Sequence, residues 1–364
     1  MKIALANNLY YPYNRGGAET VVKKMIADLR AQNHEVILFT LRPKKNSSSE
    51  EASSKNVEIS DENGLKIYRF ASNYSRLAEF SLFRKILWHG GDIFSFKKTT
   101  AIKKILTTEK PELIITHNLM GLGFLLPRAI KKLNIRHEHY LHDIQLLHPS
   151  GLMMFGKEKE VDSLSTKIYQ FFTRQFFNSP AKVISPSAWL LKEHKQRGFF
   201  KDSAEEIKRF NVIKEKESLN SDRDVAQKKQ KFLFVGQIET HKGIILLIQA
   251  FKKARQIKSD IFLTIAGDGS LLAEAKKIAG EDERIEFRGH LDSSEIKSLM
   301  EASDCLIVPS LCYENSPTTI YEAQAISLPI IAANIGGIPE IVELKDRLFK
   351  PGDGDDLIKS ILEY

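Results

Sequence analysis

Short strand-like and helix-like segments alternate along most of this chain, and no other feature restricts its fold as much. Lys2–Ala6 and Glu35–Thr40 are aliphatic and β-branched runs. Between them Val22, Met25, Ile26 and Leu29 recur at three- and four-residue spacing, which predicts a helix over Ala18–Arg30. Leu113–Thr116 and Val183–Ser185 read as further short strands, with helical sequence between. From Lys231 the alternation resumes: Lys231–Val235, Ile261–Ala266, Ile285–Arg288, Cys305–Pro309 and Pro329–Ala332 as strands, separated by helices over Ile244–Ile257, Leu271–Ala279, Ser293–Glu301 and Pro317–Ile326. Strand–helix alternation in both halves predicts an α/β protein with two parallel sheets covered by helices. Its 364 residues exceed what one hydrophobic core usually encloses, so two domains are expected, over 1–210 and 211–364. Lys44–Lys55 is polar and serine-rich and reads as an exposed loop, and Val225–Lys231 as a polar, basic stretch.

Charge divides the same way. Residues 1–210 carry 34 Lys and Arg against 21 Asp and Glu, whereas residues 211–364 carry 20 against 25. The basic half is read either as a solvated surface or as a face for an anionic partner, nucleic acid or lipid. No helix-turn-helix or RNA-recognition signature supports a nucleic-acid partner. Phe80–Leu106 interleaves Arg84, Lys85, Lys97, Lys98, Lys103 and Lys104 with Phe80, Phe83, Leu87, Trp88, Phe94 and Phe96, a composition that suits either packed surface helices or contact with an anionic membrane. No apolar run is long enough to span a bilayer, and the opening MKIALANNLYY reads as a buried strand rather than a signal peptide. Cys305 and Cys312 read as small core or loop residues in a reducing compartment.

In open α/β sheets ligands bind at loops after the carboxyl ends of strands, and four such loops carry unusual residues. Gly16 and Gly17, in NRGGAE, let backbone approach a ligand, with the amino terminus of a helix behind them. They do not form the G-x-G-x-x-G fingerprint, which argues against a nicotinamide-dependent oxidoreductase. His142 and Asp143 follow a strand and could set an imidazole beside a reacting group. Gly236 and Gln237 precede Lys242 at a helix start, where a cation and free N–H groups suit a diphosphate. In ENSPTTIYE, Ser316 is expected to cap a helix whose first residue is Pro317, leaving the N–H groups of Thr318 and Thr319 for an anion. Glu314, beside Asn315, and Glu322 bracket that anion site, and helix capping explains neither glutamate.

These motifs resemble the family 4 glycosyltransferases, which are retaining enzymes of the GT-B fold. The most specific element is Glu314-x7-Glu322 in YENSPTTIYEAQA; FLFVGQIETHKG, IAGDGS, RIEFRGHL and NIGGIPEIV fall around it in the family's order, with GGAE and LHD before them. The resemblance implies two facing Rossmann-like domains with an inter-domain cleft, the first binding the acceptor and the second the donor. By it, Gly16 and Gly17 face the donor diphosphate, His142 the transferred sugar, Lys242 the diphosphate, Glu314 the sugar and Glu322 the ribose. Gly236, Gln237, Gly267, Asn315, Ser316, Pro317 and Thr318 complete the donor-binding set, and His142, Lys242 and Glu314 are the catalytic candidates. The resemblance further implies a nucleotide diphosphate sugar as co-substrate, no metal or other cofactor, and a glycan or lipid-linked acceptor. It points to cell-surface polysaccharide or glycolipid biosynthesis by a cytoplasmic protein able to sit at the inner face of the membrane. Two departures stand out. Gln237 replaces the family's usual Arg, and the closing carboxyl-terminal helix reads as short or missing. Both favour, as the alternative, a catalytically weak sugar-nucleotide-binding protein. An epimerase or phosphorylase of the same fold is disfavoured by the Glu314-x7-Glu322 element.

Overall fold

A computed structural model describes residues 1–13, 16–44, 57–178, 180–210, 229–344 and 346–364. The expected loop at Lys44–Lys55 lies, beyond Lys44, outside the described residues, as do 225–228 of the basic stretch and Asn14 and Arg15 of the glycine motif. The chain forms two compact units. The first comprises Met1–Leu152 and Lys159–Lys208; the second comprises Met153–Glu158 and Arg209–Tyr364.

The first unit contains β1 (Lys2–Ala6), α1 (Gly17–Ala31), β2 (Glu35–Pro43), β3 (Val57–Glu62), β4 (Leu65–Ser72), α2 (Leu82–Ile93), α3 (Phe96–Glu109), β5 (Leu113–Thr116), α4 (Leu126–Lys132), β6 (Arg136–Tyr140), α5 (Leu164–Phe177), β7 (Lys182–Ser185), α6 (Ala188–Gln196) and β8 (Ala204–Ile207). Its sheet runs in the order β3-β4-β2-β1-β5-β6-β7-β8. Ile3, Ala4, Leu5 and Ala6 are all buried, which requires helices on both faces of β1 and explains the unbroken apolar run. Val22 and Ile26 of α1 close one face over Ile3, Leu5, Val36 and Leu38.

The sheet is parallel from β4 to β8, as expected, and only β3, at its edge, pairs with β4 antiparallel. Asn63 and Gly64 form the two-residue connection with φ of 54° and 79°, the left-handed conformation that matches hairpin twist. The region between β5 and β7 is not wholly helical. β6, with the sequence RHEHY, lies buried between them. Thr116 Oγ1 hydrogen bonds both His137 Nε2 (2.7 Å) and His139 Nδ1 (2.9 Å), so these imidazoles meet a polar partner inside the unit.

The second unit contains β9 (Gln230–Val235), α7 (Ile244–Ile257), β10 (Ile261–Ala266), α8 (Leu272–Ala279), β11 (Ile285–Gly289), α9 (Ser293–Glu301), β12 (Cys305–Val308), α10 (Thr318–Ala325), β13 (Ile330–Ala333), β14 (Arg347–Phe349) and α11 (Gly354–Leu362). The strands pair in parallel in the order β11-β10-β9-β12-β13-β14. This order reverses direction between β9 and β12, the switch point at which such sheets open a crevice for ligands. Phe232, Leu263, Leu306 and Ile331 from the strands, with Leu247, Phe251 and Leu357 from the helices, form one continuous core. Asp353 caps α11 by accepting from the N–H groups of Asp355 and Asp356. Cys305 and Cys312 are buried free thiols, and burial raises the pKa of both.

Candidate active site

The loops after β9, β10, β12 and β13 meet at the switch point of the second unit and touch through backbone. Gly243 has φ of 72°, and a Cβ there would lie 1.8 Å from the Pro309 carbonyl oxygen. Gly267 has φ of 142°, and its Cβ would lie 1.8 Å from the Gly236 carbonyl oxygen. The Glu314 carbonyl accepts from Gly337 N–H at 2.7 Å, in the loop after β13. The first two contacts admit only glycine, and all three together hold the side chains of these loops in register. Gly243→Ala is expected to destabilise the chain by about 2–3 kcal/mol, from left-handed strain plus the clash. The transition of the second unit should fall by roughly 5–10 °C in a thermal melt, and an unchanged transition would contradict the close approach.

This register brings Lys242 and Glu314 together. Lys242 ends a short 3-10 turn, Thr240–Lys242, just before Gly243. Its Nζ donates to Glu314 Oε1 at 2.5 Å, and Ser310 Oγ donates to the same oxygen at 3.1 Å. The side chains are 25% and 14% exposed, so the pair is shielded yet reachable. Burial works against both charges. It is outweighed by their mutual attraction, which raises Lys242 above and lowers Glu314 below the ordinary values. Both groups therefore stay ionised at neutral pH. Lysine carries three donors, so one bond to Glu314 leaves capacity toward an anion. Glu239 accepts from Ser270 N–H (2.7 Å) and Oγ (2.6 Å), which ties the Lys242 loop to the loop after Gly267. Gln237 is exposed at the end of β9.

The helix start after Glu314 differs from expectation. Pro317 occupies the cap position, extended at φ −65° and ψ 124°, and α10 begins at Thr318. Ser316 does not cap: its hydroxyl bonds the Tyr321 hydroxyl at 2.8 Å. With no side-chain cap on α10, and Ile320 N–H bonded to Pro317 O, the N–H groups of Thr318 and Thr319 remain the anion-directed feature of this loop. Glu322 lies on α10 with its side chain exposed. Residues 153–158 brace the loop from outside: Tyr313 N–H bonds Met153 O, Phe155 N–H bonds Leu311 O, and the Tyr313 hydroxyl donates to Glu158.

His142, Gly16 and Gly17 belong to the first unit. His142 Nε2 hydrogen bonds His117 Nδ1 at 2.8 Å, and its ring stacks on Tyr140 at 5.1 Å. Burial lowers His142 to about 3 and holds His117 well below the ordinary value, so both imidazoles are neutral. Asp143 accepts from Gln145 N–H (2.7 Å) and Asn118 Nδ2 (3.0 Å), and burial raises it to about 6. Asn7 Oδ1 accepts from Asn118 N–H, and Gln145 Oε1 accepts from the N–H groups of Leu119 and Met120, so the strand ends of β1, β5 and β6 share one polar network. No motif marks Asn7, His117, Asn118 or Gln145; their signal in the sequence is the placement of amide and imidazole residues after apolar strands. Gly16 holds the cap position before α1, and its N–H donates to Glu19 Oε2 at 3.0 Å. A carboxylate therefore already satisfies one of the groups expected to meet phosphate.

Comparison with known proteins agrees with this arrangement. Residues 15–207 match Glycosyltransferase Family 4, and residues 215–364 match Glycosyl transferases group 1. A 42.6 kDa protein of the cps region of Klebsiella pneumoniae is 26% identical, over 98% of this chain and 91% of its own. A lipopolysaccharide 1,2-N-acetylglucosaminetransferase of Salmonella typhimurium is 25% identical, over 84% of this chain and 75% of its own. Among solved structures, sucrose-phosphate synthase of Thermosynechococcus elongatus superposes with a TM-score of 0.68 at 19% identity, covering 100% of this chain and 89% of that one. Anabaena HepE in complex with UDP gives 0.66 at 18% identity, with 100% and 89% covered. The matched family spans more than half of the chain and the fold is that of these neighbours, so the chain belongs to glycosyltransferase family 4 and is a glycosyltransferase of the GT-B fold.

Proposed function

We propose that this glycosyltransferase moves a sugar from a nucleotide diphosphate sugar to a glycan or lipid-linked acceptor, with retention at the anomeric carbon and without a metal, in surface polysaccharide or glycolipid biosynthesis. The observation that carries this reading is the shielded Lys242–Glu314 pair beside the uncapped start of α10. As the sugar–phosphate bond breaks, charge grows on the diphosphate. Lys242 and the first-turn N–H groups of α10 supply a cation and oriented dipoles at that point. Glu314, held ionised, accepts a hydrogen bond from a hydroxyl of the transferred sugar; Lys242 and Ser310 both bond its Oε1. Glu322, exposed on α10, accepts from ribose hydroxyls. His142, in the first unit, is the further catalytic candidate, and burial holds it neutral. The lipopolysaccharide transferase and the UDP-bound HepE among the similar proteins support the acceptor class and the donor class respectively.

Because Lys242 performs the task a metal performs elsewhere, turnover is expected to persist in excess chelator. Loss of activity in chelator that returns with magnesium or manganese would overturn that. The donor is identified by a thermal-shift series of uridine, guanosine and adenosine diphosphate sugars, since a ligand bound to the folded state raises its melting temperature. With the donor known, Gln237→Arg is expected to raise kcat, because a second cation joins Lys242 at the diphosphate. A kcat that stays level would mean that the Gln237 amide already serves there. Donor affinity with neither transfer nor donor hydrolysis would favour the binding-protein alternative.

A further inference from the structure

We infer that the face of the first unit formed by α2 and its junction with α5 docks on an anionic lipid bilayer. Leu82, Phe83, Ile86 and Leu87 are 76%, 71%, 60% and 59% exposed. Their spacing sets all four on one side of α2, and the helix becomes buried only at its end, at Asp92 and Ile93. Leu164, Ile168 and Phe171 form a second exposed stripe at four- and three-residue steps on α5. The two helices meet where the Phe94 ring, ending α2, packs on Phe172 and Phe176 at 5.2 and 5.4 Å. Apolar stripes of this size are rarely left to water unless something covers them.

Charge selects the occupant. Exposed Arg84 and Lys97 on α2 and α3, and Lys167 on α5, flank the apolar side chains. The acidic residues of these three helices are only Asp92, which is buried, and Glu109, which is bound to Lys2 and Lys66. The Arg84 guanidinium lies over the Phe80 ring at 4.5 Å, a cation resting on an aromatic that can enter the interface with it. Of the carboxylates just before these helices, Glu79 is paired with Arg76 and Asp162 with Arg197, while Glu160 is exposed; apolar side chains with this excess of cations match the boundary between acyl chains and anionic headgroups. A second copy of the chain fits poorly, because a two-fold contact would set these cations against themselves. No helix among the described residues is long and apolar enough to cross a membrane, so the contact lies at the surface. Docking in this way brings lipid close to the strand-end pocket lined by Leu9, Tyr13, Arg42 and Tyr74, since Tyr74 packs on Trp88 of α2.

The test uses the whole chain without donor, so its outcome is separate from that of the transferase reading. Cosedimentation is measured with vesicles of phosphatidylcholine alone and of phosphatidylcholine with phosphatidylglycerol. Binding is expected to be at least about tenfold stronger to the anionic vesicles and to weaken with salt. The Phe83→Ser, Leu87→Ser double variant and the Arg84→Glu, Lys97→Glu double variant should each lose about tenfold or more, with thermal melts unchanged because all four residues are exposed. Equal binding to neutral and anionic vesicles, absence of binding to both, or wild-type binding in both folded variants would overturn the proposal. So would a concentration-dependent dimer that Phe83→Ser, Leu87→Ser abolishes while vesicle binding persists.

Discussion

Lys242→Ala is expected to lower turnover by about two to three powers of ten, the usual effect of removing one oriented donor from a site where negative charge develops. The effect should fall mainly on kcat, because the diphosphate carries more charge in the transition state than in the bound donor. The same substitution strands Glu314 as a shielded carboxylate left with neutral partners, Ser310 and Cys312, and no cation. Breaking a buried pair in this way costs about 3 kcal/mol of stability, so activity is compared at a temperature where both proteins are folded by circular dichroism. Lys242→Arg keeps the charge and should restore part of the rate. Glu322→Gln, by contrast, should raise KM and leave kcat near normal, because ribose is held alike before and during transfer. Single-turnover rates on folded wild type and Lys242→Ala decide the matter: equal rates would remove Lys242 from the chemistry.

The first unit is expected to lose stability steeply as the pH falls below 6.5. His117, His137, His139, His142 and His194 are held uncharged by burial, with His137 and His142 lowered to about 3 and His194 to about 4. An unfolded chain protonates histidine near 6.5. Below that pH the unfolded state therefore binds more protons, and each such histidine costs about 1 kcal/mol per pH unit. Two carboxyls act in the opposite sense. Burial raises Asp92 to about 7 and Asp143 to about 6, so between pH 6 and 4 the folded state keeps protons that the unfolded state lacks. Five histidines against two carboxyls leave about three protons, hence roughly 3–4 kcal/mol lost from pH 6 to pH 5. That is a large share of the 5–15 kcal/mol typical of a folded domain. Hydrogen exchange read by peptide mass should show protection lost in 1–152 and 159–208 by pH 5 while 229–364, which holds only His241 and His290, changes little. Parallel loss in both units would contradict this account. His194→Asn should flatten the dependence by about one proton.

The alternation of apolar strands and periodic helices was enough to anticipate most of the second unit, because its strands are buried on both faces and its helices carry clear apolar stripes. β6 is anticipated only as the strand that His142 and Asp143 follow, without bounds, because its core positions are histidines, whose burial rests on Thr116 and on the rings of Phe177 and Phe200 rather than on hydrophobicity. The β3–β4 hairpin escaped although Asn63-Gly64 is a strong turn signal, since the flanking Glu58, Asp61 and Glu62 conceal the alternation. In the site, Lys242 and Glu314 could be named from their loops, yet nothing in a spacing of 72 residues says that they pair. The pairing follows from Gly243 lying against Pro309, a tertiary contact. Ser316 was misassigned because an N-cap rule weighs local preference, whereas its hydroxyl found Tyr321 one turn later.

The backbone contacts of Gly243 on Pro309 and Gly267 on Gly236 also bear on how such a site can diversify. Where loops touch through main chain, with no side chain between them to be trimmed or enlarged, lengthening one displaces its neighbour directly. A loop grafted alone from a relative with a different donor should therefore misfold, whereas exchanging the segments 236–243 and 267–270 as a pair, against an unaltered 309–316, keeps the spacing. New donor preference is then open chiefly to point changes at side chains that leave the interlock alone, such as the exposed Gln237 and Asp268. The interlock makes the site hard to remodel by insertion and comparatively easy to retune by substitution.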